Sequence, residues 1–271
     1  MNLGVDGIYA ITLDRLDVRK QHMIELSNKL NADFNIIDGV DAAKYASDPN
    51  FIDNYTKDGF FDPHGIYSAG IICCALSHRK AWKAFLDSDN ETGLFLEDDV
   101  VTTNNIHKYD FDSIRNQLSN LDWGICWYGK YREDIKIQES ISEEIGVCEF
   151  FNTMQCAGHA YVLNRESAEW FYKNTKTIKY AVDVQLELSP FRQITLKKSI
   201  FIQKGKGDLT EKDKEEINLE FLISNTCIPG LLNYDIHTGE YSFNFPSDLN
   251  RVESSITHNG REIKGYTFTK K

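Results

Sequence analysis

The segment that most constrains the fold is residues 94–100, in which three apolar residues run directly into three consecutive acids, Glu97, Asp98 and Asp99. A short continuous apolar run predicts a strand that is buried on both faces of a parallel sheet. The acids would then lie at the carboxyl end of that strand, where open α/β sheets bind their ligands. Adjacent carboxylates repel one another, and a divalent cation such as Mg²⁺ or Mn²⁺ would relieve the repulsion. The alternative is an acidic turn that faces water, or a set of helix N-caps.

The first forty residues predict a βαβ unit. Residues 8–13 are a strand candidate, residues 17–30 have the apolar spacing of a helix, and residues 34–37 are a second strand candidate. Such a unit has parallel strands joined by a right-handed crossover. Further segments with the same strand and helix patterns follow along the chain, at residues 68–86, 111–121, 123–128, 160–163, 165–171 and 200–202. The sequence therefore predicts an α/β fold with a Rossmann-like, mostly parallel central sheet flanked by helices.

Three segments lack a clear period. Residues 42–67 predict a long loop or a flap over a site, and residues 129–147 predict a second irregular loop. From residue 230 the composition turns to Asn, Gly, Ser and Tyr, so residues 230–271 are expected to form an irregular C-terminal tail. Because no repeat and no linker is evident, we expect a single domain over residues 1–271.

Composition excludes several classes of protein. The net charge of −11 argues against a binder of nucleic acid or of anionic membranes. The six cysteines include no C-x-x-C pair and lie in mostly apolar surroundings, which is typical of reduced thiols in a cytoplasmic protein. No apolar run is long enough for a transmembrane segment, and no signal peptide is recognisable, so at most a peripheral membrane association is expected.

An acid cluster that follows a βαβ unit suits a metal–diphosphate complex. The metal would bridge two phosphate oxygens and neutralise the charge that develops on a departing nucleoside diphosphate. Arg15 and Arg19 follow the first strand, where they could contact the pyrophosphate; the alternative is that both are ordinary arginines on a helix surface.

Several blocks of the sequence resemble glycosyltransferase family 25, which includes lipooligosaccharide and collagen galactosyltransferases. They are residues 9–15 (YAITLDR) with Arg19, residues 70–82 (GIICCALSHRKAW) and residues 96–100 (LEDDV), with a fainter likeness at 158–163 and 182–183. The order and spacing of the blocks are more specific than any single block. The resemblance implies a GT-A fold, a nucleotide-sugar donor, most often a UDP-sugar, a divalent metal and inversion at the anomeric carbon.

Roles for individual residues follow from the resemblance. Asp99, with Glu97 or Asp98, would hold Mn²⁺ or Mg²⁺. His258 could be a late metal ligand, or it could be an exposed histidine of the tail. Asp183 is the candidate general base, with an N-cap as the alternative. The candidate donor-binding residues are Thr12, Arg15, Arg19, Asp38, Asp41, Ser77, His78, Glu97 and Asp98, of which His78 could instead be a core histidine and Asp38 and Asp41 turn residues.

The resulting hypothesis is a metal-dependent inverting glycosyltransferase that moves a hexose, galactose favoured, to a hydroxyl of a glycan, glycolipid or protein. One rival is a nucleotidyltransferase, but residues 14–17 (DRLD) replace the glycine-rich basic loop that a triphosphate would need. Another is a family member that binds a glycan or a partner without catalysis. That reading stays open because Ile71 and Cys73 stand where the family usually has Glu and Gly.

Overall fold

A computed structural model of the chain describes residues 2–45, 50–56, 59–62, 69–130, 137–148, 158–203, 233–234, 241–242, 249–258 and 261–270. The α-helices are α1 (Asp17–Leu30), α2 (Phe51–Thr56), α3 (Ala69–Leu86), α4 (Phe111–Ser119), α5 (Arg165–Asn174) and α6 (Val182–Glu187). The strands are β1 (Gly7–Thr12), β2 (Asn35–Asp38), β3 (Phe60–Asp62), β4 (Thr92–Glu97), β5 (Val100–Thr102), β6 (Ile125–Trp127), β7 (Ile137–Ser140), β8 (Ile145–Cys148), β9 (Ala160–Asn164), β10 (Gln193–Leu196), β11 (Phe201–Gln203), β12 (Asn233–Tyr234), β13 (Tyr241–Ser242), β14 (Leu249–His258) and β15 (Arg261–Lys270).

The predicted βαβ unit is present at the N-terminus. Strands β1 and β2 are parallel neighbours, with Thr12 opposite Asp38. Helix α1 buries Met23, Leu26 and Leu30, the apolar positions that its spacing predicted. Asn31 caps its C-terminal end in the left-handed conformation, with φ 45°, which asparagine tolerates better than most residues.

The central sheet has eight strands in the order β2-β1-β4-β9-β6-β10-β8-β7. Strands β2, β1 and β4 are parallel neighbours, and so are β6 and β10. Strand β9 lies antiparallel between β4 and β6, and β8 lies antiparallel between β10 and β7. All strands of the sheet except β9 and β8 therefore run in one direction. This confirms the α/β class and the mostly parallel sheet flanked by helices.

Alternate residues of β1 and β4 face two separate hydrophobic cores. Tyr9 and Phe95 pack with α3 and α5 on one face of the sheet. Ile8 and Leu94 pack with α1 and α4 on the other face. Because both faces are covered, β4 is apolar along its whole buried length, as a strand that reads as one continuous apolar run should be. The cores hold the strand ends, and with them the acids, in fixed positions.

The expectations of irregular structure are wrong for the described residues. The segment 42–67, predicted as a long loop or a flap, contains helix α2 and strand β3. Within the predicted loop 129–147, β7 and β8 form an antiparallel pair at the edge of the central sheet. Within the predicted irregular tail, β14 and β15 form a long antiparallel hairpin, which pairs with β3. The sequence contains a signal for this hairpin, because Asn259-Gly260 is the dipeptide typical of two-residue hairpin turns and the paired ends are His258 and Arg261.

Cys126 and Cys148 are buried and belong to no disulfide. Cys156 and Cys227 lie outside the described residues. Across the described ranges, no helix combines the length and the hydropathy needed to cross a bilayer.

Candidate functional site

The register of the parallel strands brings the predicted site to one edge of the sheet. Ile11 lies opposite Glu97, the last residue of β4. Asp98 and Asp99 then form the turn that leads into β5, which is fastened by an antiparallel pairing with β11. The acids therefore lie at the carboxyl end of a buried central strand, as the sequence predicted. Asp98 is buried, so the alternative of an acidic turn that faces water is wrong.

A cavity of about 190 Å³ opens at this edge, between the end of β1, the loop after β2, helix α3 and the acidic turn. Nine of the residues predicted from sequence line it: Thr12, Arg15, Arg19, Asp41, Ser77, His78, Glu97, Asp98 and Asp99. Elements that are distant in the chain thus place arginines and carboxylates around one space of small-molecule size.

Asp99 contributes a buried, unsatisfied oxygen to the cavity. Its Oδ1 atom is buried and forms no hydrogen bond within the described part of the chain. Burial, together with the charges of Glu97 and Asp98, raises the pKa of Asp99 from 3.8 to about 7. A buried carboxylate with unmet charge is the environment that a bound cation stabilises.

Asp98 and Arg19 form an ion pair across the cavity wall. The Arg19 guanidinium donates a hydrogen bond from Nη1 to Asp98 Oδ1 over 2.6 Å. Arg19 lies in the first turns of α1, and the pair therefore joins the helix after β1 to the turn after β4. The positive charge of Arg19 thus lies next to the acids. It does not neutralise Asp99, whose pKa remains raised.

Glu97 is held by two side chains of α3. His78 Nε2 lies 3.2 Å from Glu97 Oε1, and the Cys74 thiol donates to the same oxygen over 3.8 Å. Burial alone would raise the pKa of Glu97, but the hydrogen bond from His78 and the charges of His78, His159 and Arg19 lower it overall. Glu97 is therefore kept ionised beside Asp99. Burial and the nearby carboxylates of Glu97 and Asp183 raise the pKa of the Cys74 thiol, which keeps it protonated.

The loop after β2 is fastened from two sides. Asp41 Oδ2 accepts a hydrogen bond from Arg15 Nε over 2.7 Å, and its Oδ1 accepts one from the Ala43 N–H. Ser77 Oγ accepts a hydrogen bond from the Val40 N–H and donates one to the Cys73 carbonyl. Asp41 thus orients Arg15, which lines the cavity, and Ser77 positions the loop.

The remaining predicted residues lie elsewhere. Asp38 does not line the cavity, and its carboxylate accepts a hydrogen bond from the Asp14 N–H. Asp183 lies in the first turn of α6 and accepts a hydrogen bond from the next N–H in the chain, outside the cavity wall but close enough to Cys74 to raise its pKa. His258 ends β14, and its side chain lies outside the described side chains.

Sequence reasoning assigned no role to three residues that contact the site. Cys74 precedes His78 by one helical turn, and that spacing alone would have placed the two on one face. Tyr161 contacts His78 through its hydroxyl group. A Cβ atom at Gly158 would lie 3.7 Å from Glu97 Oε1 and 3.9 Å from His78 Cε1, in ordinary van der Waals contact, so the backbone of Gly158 lies directly beside this pair.

The cavity fits a hard divalent cation. Its acidic side offers carboxylate oxygens, the ligands that Mg²⁺ and Mn²⁺ prefer, and the Asp99 oxygen is without a partner among described residues. The Thr12 hydroxyl, also buried and lacking a hydrogen bond within the described structure, lies on the same cavity wall. Unpaired polar atoms of this kind are rare in folded proteins and indicate a ligand or ordered water.

Comparison with known proteins supports the resemblance. A family model described as glycosyltransferase family 25 (LPS biosynthesis protein) matches residues 5–186. Procollagen galactosyltransferase 2 of Homo sapiens is 28% identical over 141 residues, which are 51% of this chain and 22% of that protein. The Mus musculus protein of the same name is 27% identical over 141 residues, or 51% of this chain and 23% of that protein. The match thus spans less than a quarter of the length of these relatives.

Proposed function

The chain belongs to glycosyltransferase family 25, and on that premise we propose that it transfers a hexose from a UDP-sugar to a hydroxyl of a glycan, glycolipid or protein. The observation that carries the proposal is the cavity in which Asp99, whose buried Oδ1 has no hydrogen-bond partner among the described residues, lies beside the Arg19–Asp98 pair. A nucleoside diphosphate is bound by a divalent cation together with basic side chains. The carboxylates of the cavity offer a site for the cation, and Arg15 and Arg19 are the basic side chains.

Galactose is the favoured sugar because the curated relatives are named as procollagen galactosyltransferases. The description of the family as LPS biosynthesis proteins favours a glycolipid acceptor, whereas the names of the relatives favour a protein acceptor. A cytoplasmic location is part of the same proposal.

The donor would lie with its diphosphate between the basic and the acidic sides of the cavity. Arg15, oriented by Asp41, would direct its terminal nitrogens to the phosphate oxygens. Asp99, with Glu97 or Asp98, would hold Mn²⁺ or Mg²⁺, which when bound supplies Lewis-acid stabilisation of the departing UDP. The Thr12 hydroxyl would donate to the donor, which would satisfy its unmet hydrogen bond.

Inversion requires an attack in line with the departing diphosphate, and a base to accept the proton of the acceptor hydroxyl. Asp183 is the candidate for that base, because it lies outside the cavity wall but near Cys74, which lines the cavity, and it is only partly buried. The acceptor oxygen would form the new bond to the anomeric carbon, the bond to the UDP oxygen would break, and the proton would pass to Asp183.

Ile71 does not line the cavity, because its side chain packs against the core on the α3 side of the sheet. Position 71 thus contributes no polar group to the cavity, whereas Cys73, which stands where the family usually has glycine, lines it. The reading of a binding protein without catalysis therefore remains the rival that the donor screen tests.

The experiment is a donor screen. The protein is incubated with UDP-galactose, UDP-glucose, UDP-N-acetylglucosamine and GDP-mannose, with Mn²⁺ or with EDTA, and nucleotide release is measured. We expect release of UDP, greatest with UDP-galactose and abolished by EDTA. A parallel reaction with UTP and galactose 1-phosphate tests the rival. Release of pyrophosphate there, without UDP release in the screen, would make the protein a nucleotidyltransferase.

A further inference from the structure

A chain of buried hydrogen bonds leads from the core to the cavity. The Trp82 indole donates from Nε1 to the Tyr161 hydroxyl oxygen over 2.9 Å. That hydroxyl lies 2.7 Å from His78 Nδ1, and His78 Nε2 lies 3.2 Å from Glu97 Oε1. Trp82, Tyr161 and His78 are each at most 1% exposed, so water does not replace any of these contacts.

The chain has a fixed direction. An indole N–H can only donate, so the Tyr161 oxygen is an acceptor on the Trp82 side. The hydrogen of the Tyr161 hydroxyl then has His78 Nδ1 as its acceptor among the described residues. If Nδ1 carried a hydrogen instead, two donors would point at the Tyr161 oxygen and its own hydrogen would have no acceptor there. A neutral His78 therefore carries its hydrogen on Nε2, facing Glu97.

We propose that Tyr161, supported by Trp82, is a positioning residue of the donor site that acts through His78 on Glu97. By accepting at Nδ1, His78 is fixed as a donor at Nε2 and holds Glu97 Oε1 in place. The second oxygen of Glu97, Oε2, lies on the exposed side, 3.5 Å from the amide of the exposed Gln203, and is left for a donor hydroxyl or a cation. The part of this inference that concerns the donor rests on the proposed function; the hydrogen-bond chain does not.

The same group of side chains could be taken for a site for a thiophilic cation. One ligand atom each of Cys74, His78 and Glu97 lies within 4.8 Å of the others. A nitrogen that carries a hydrogen cannot coordinate a metal, however, and the direction of the chain places the hydrogen on Nε2. The hydrogen-bond chain thus predicts that His78 Nε2 carries a hydrogen, whereas a metal site would require that it carries none.

Tyr9 provides a matched control. Tyr9 and Tyr161 are both buried and both stack on Phe95, with ring centroids 5.5 and 5.4 Å away. The Tyr9 hydroxyl contacts Ser88 and Asn90, which are not part of the cavity wall. Tyr9→Phe and Tyr161→Phe therefore remove the same atom from the same aromatic stack, but only the second interrupts the chain to Glu97.

The first measurement is the tautomer of His78. Protein with ¹⁵N-labelled histidine gives long-range ¹H–¹⁵N spectra that report which ring nitrogen carries the hydrogen, and His78→Gln assigns the His78 signals. We expect the Nε2–H form in the parent and in both variants, because Glu97 still accepts from Nε2. The Nδ1 signal should shift in Tyr161→Phe alone, because only there does this nitrogen lose the hydrogen bond that it accepts. An Nδ1–H form in the parent, or an unchanged Nδ1 signal in Tyr161→Phe, would overturn the inference.

The second measurement is the affinity for UDP with Mn²⁺, by calorimetry on the full chain. Loss of a residue that orients a ligand typically costs at least about tenfold, and we expect that loss in Tyr161→Phe but not in Tyr9→Phe. Thermal unfolding of the two variants controls for a general loss of stability. A shifted Nδ1 signal with unchanged UDP affinity would overturn the positioning role. If the parent bound no UDP, the proposed function would fail, while the spectra would still decide the hydrogen-bond chain.

Discussion

Two loops meet at the cavity, and they differ in how far their polar groups are satisfied. In the loop after β2, Asp41 is bonded through both oxygens, and Ser77 holds the Val40 N–H. In the turn after β4, Asp99 has a buried oxygen without a partner in the described residues. The polar groups named in the first loop thus have partners among the described residues, whereas Asp99 in the second keeps a buried oxygen without one. This difference supports the proposal that the acidic turn binds the cation and that the β2 loop is its scaffold.

The largest effect on turnover is expected when the carboxylate of Asp99 is removed. We predict that Asp99→Asn lowers UDP-sugar turnover about 100- to 1,000-fold, the usual loss when a group that stabilises transition-state charge is removed. The measurement is UDP release at saturating Mn²⁺. The matched control is Asp89→Asn, at an exposed position after α3, which should keep full activity. Equal activity of the two variants would refute the assignment of Asp99.

The affinity for Mn²⁺ should depend on pH through Asp99. The pKa of Asp99 is raised to about 7 by burial and by its acidic neighbours, so the carboxyl is protonated below neutral pH in the metal-free protein. A cation needs the ionised form, and we expect Mn²⁺ affinity to fall by up to about tenfold per pH unit below pH 7. Calorimetric titrations at pH 5.5, 6.5 and 7.5 measure this. A flat profile would contradict the raised pKa.

Stability of the metal-free protein should show the opposite trend. A raised carboxyl pKa contributes stability that is fully present below the ordinary value of 3.8 and is lost as the pH rises towards 7. Asparagine does not ionise, so Asp99→Asn avoids this decrease in the free energy of unfolding. We expect the variant to be more stable than the parent, without metal at pH 8, by on the order of 1–3 kcal/mol. Urea unfolding with EDTA tests this, and a destabilised variant would show that Asp99 has a partner.

A smaller effect is expected on the basic side of the cavity. Arg15→Gln removes the guanidinium that Asp41 orients, and we predict about tenfold weaker UDP binding, the value of one charge-assisted hydrogen bond. Arg192→Gln is the control, since Arg192 pairs with the exposed Glu139 on a strand at the far edge of the sheet. If both variants bind UDP as the parent does, Arg15 does not contact the diphosphate.

The smallest effect is expected in the scaffold loop. Ser77→Ala breaks the bond to the Val40 N–H, and we predict a loss of about 1–2 kcal/mol in the free energy of unfolding with at most about a twofold change in UDP affinity. Ser119→Ala, at an exposed position of α4, should change stability by less than about 0.5 kcal/mol. A large loss of UDP affinity at unchanged stability would instead place the Ser77 hydroxyl on the donor.

The sequence predicted those parts of the site that depend on local patterns. The apolar run at residues 94–96 and its acids became the end of β4 and the turn after it, because a short apolar segment has few ways to be buried. Asp41 rather than Asp38 reaches the cavity because Ser77 on a distant helix fixes the loop, and local sequence does not contain that contact. Likewise, the antiparallel direction of β9 is set by its neighbours rather than by its own residues.

The C-terminal hairpin was missed for a different reason. Strand β14 is mostly polar and exposed, so it lacks the alternation that identifies a half-buried strand. Only the Asn259-Gly260 dipeptide signalled a turn. Its partner β15 is fixed by contact with β3 and by the burial of Phe268 in the core, which are tertiary effects.

Binding of Mn²⁺ itself, followed by the electron paramagnetic resonance signal of the free ion, tests the role of the acidic turn most directly. With UDP present at pH 7.5, we expect the parent protein to remove one equivalent of Mn²⁺ from solution and Asp99→Asn to leave the signal close to that of free Mn²⁺. Binding of Mn²⁺ by Asp99→Asn with the affinity of the parent would contradict the claim that the acidic turn holds the cation.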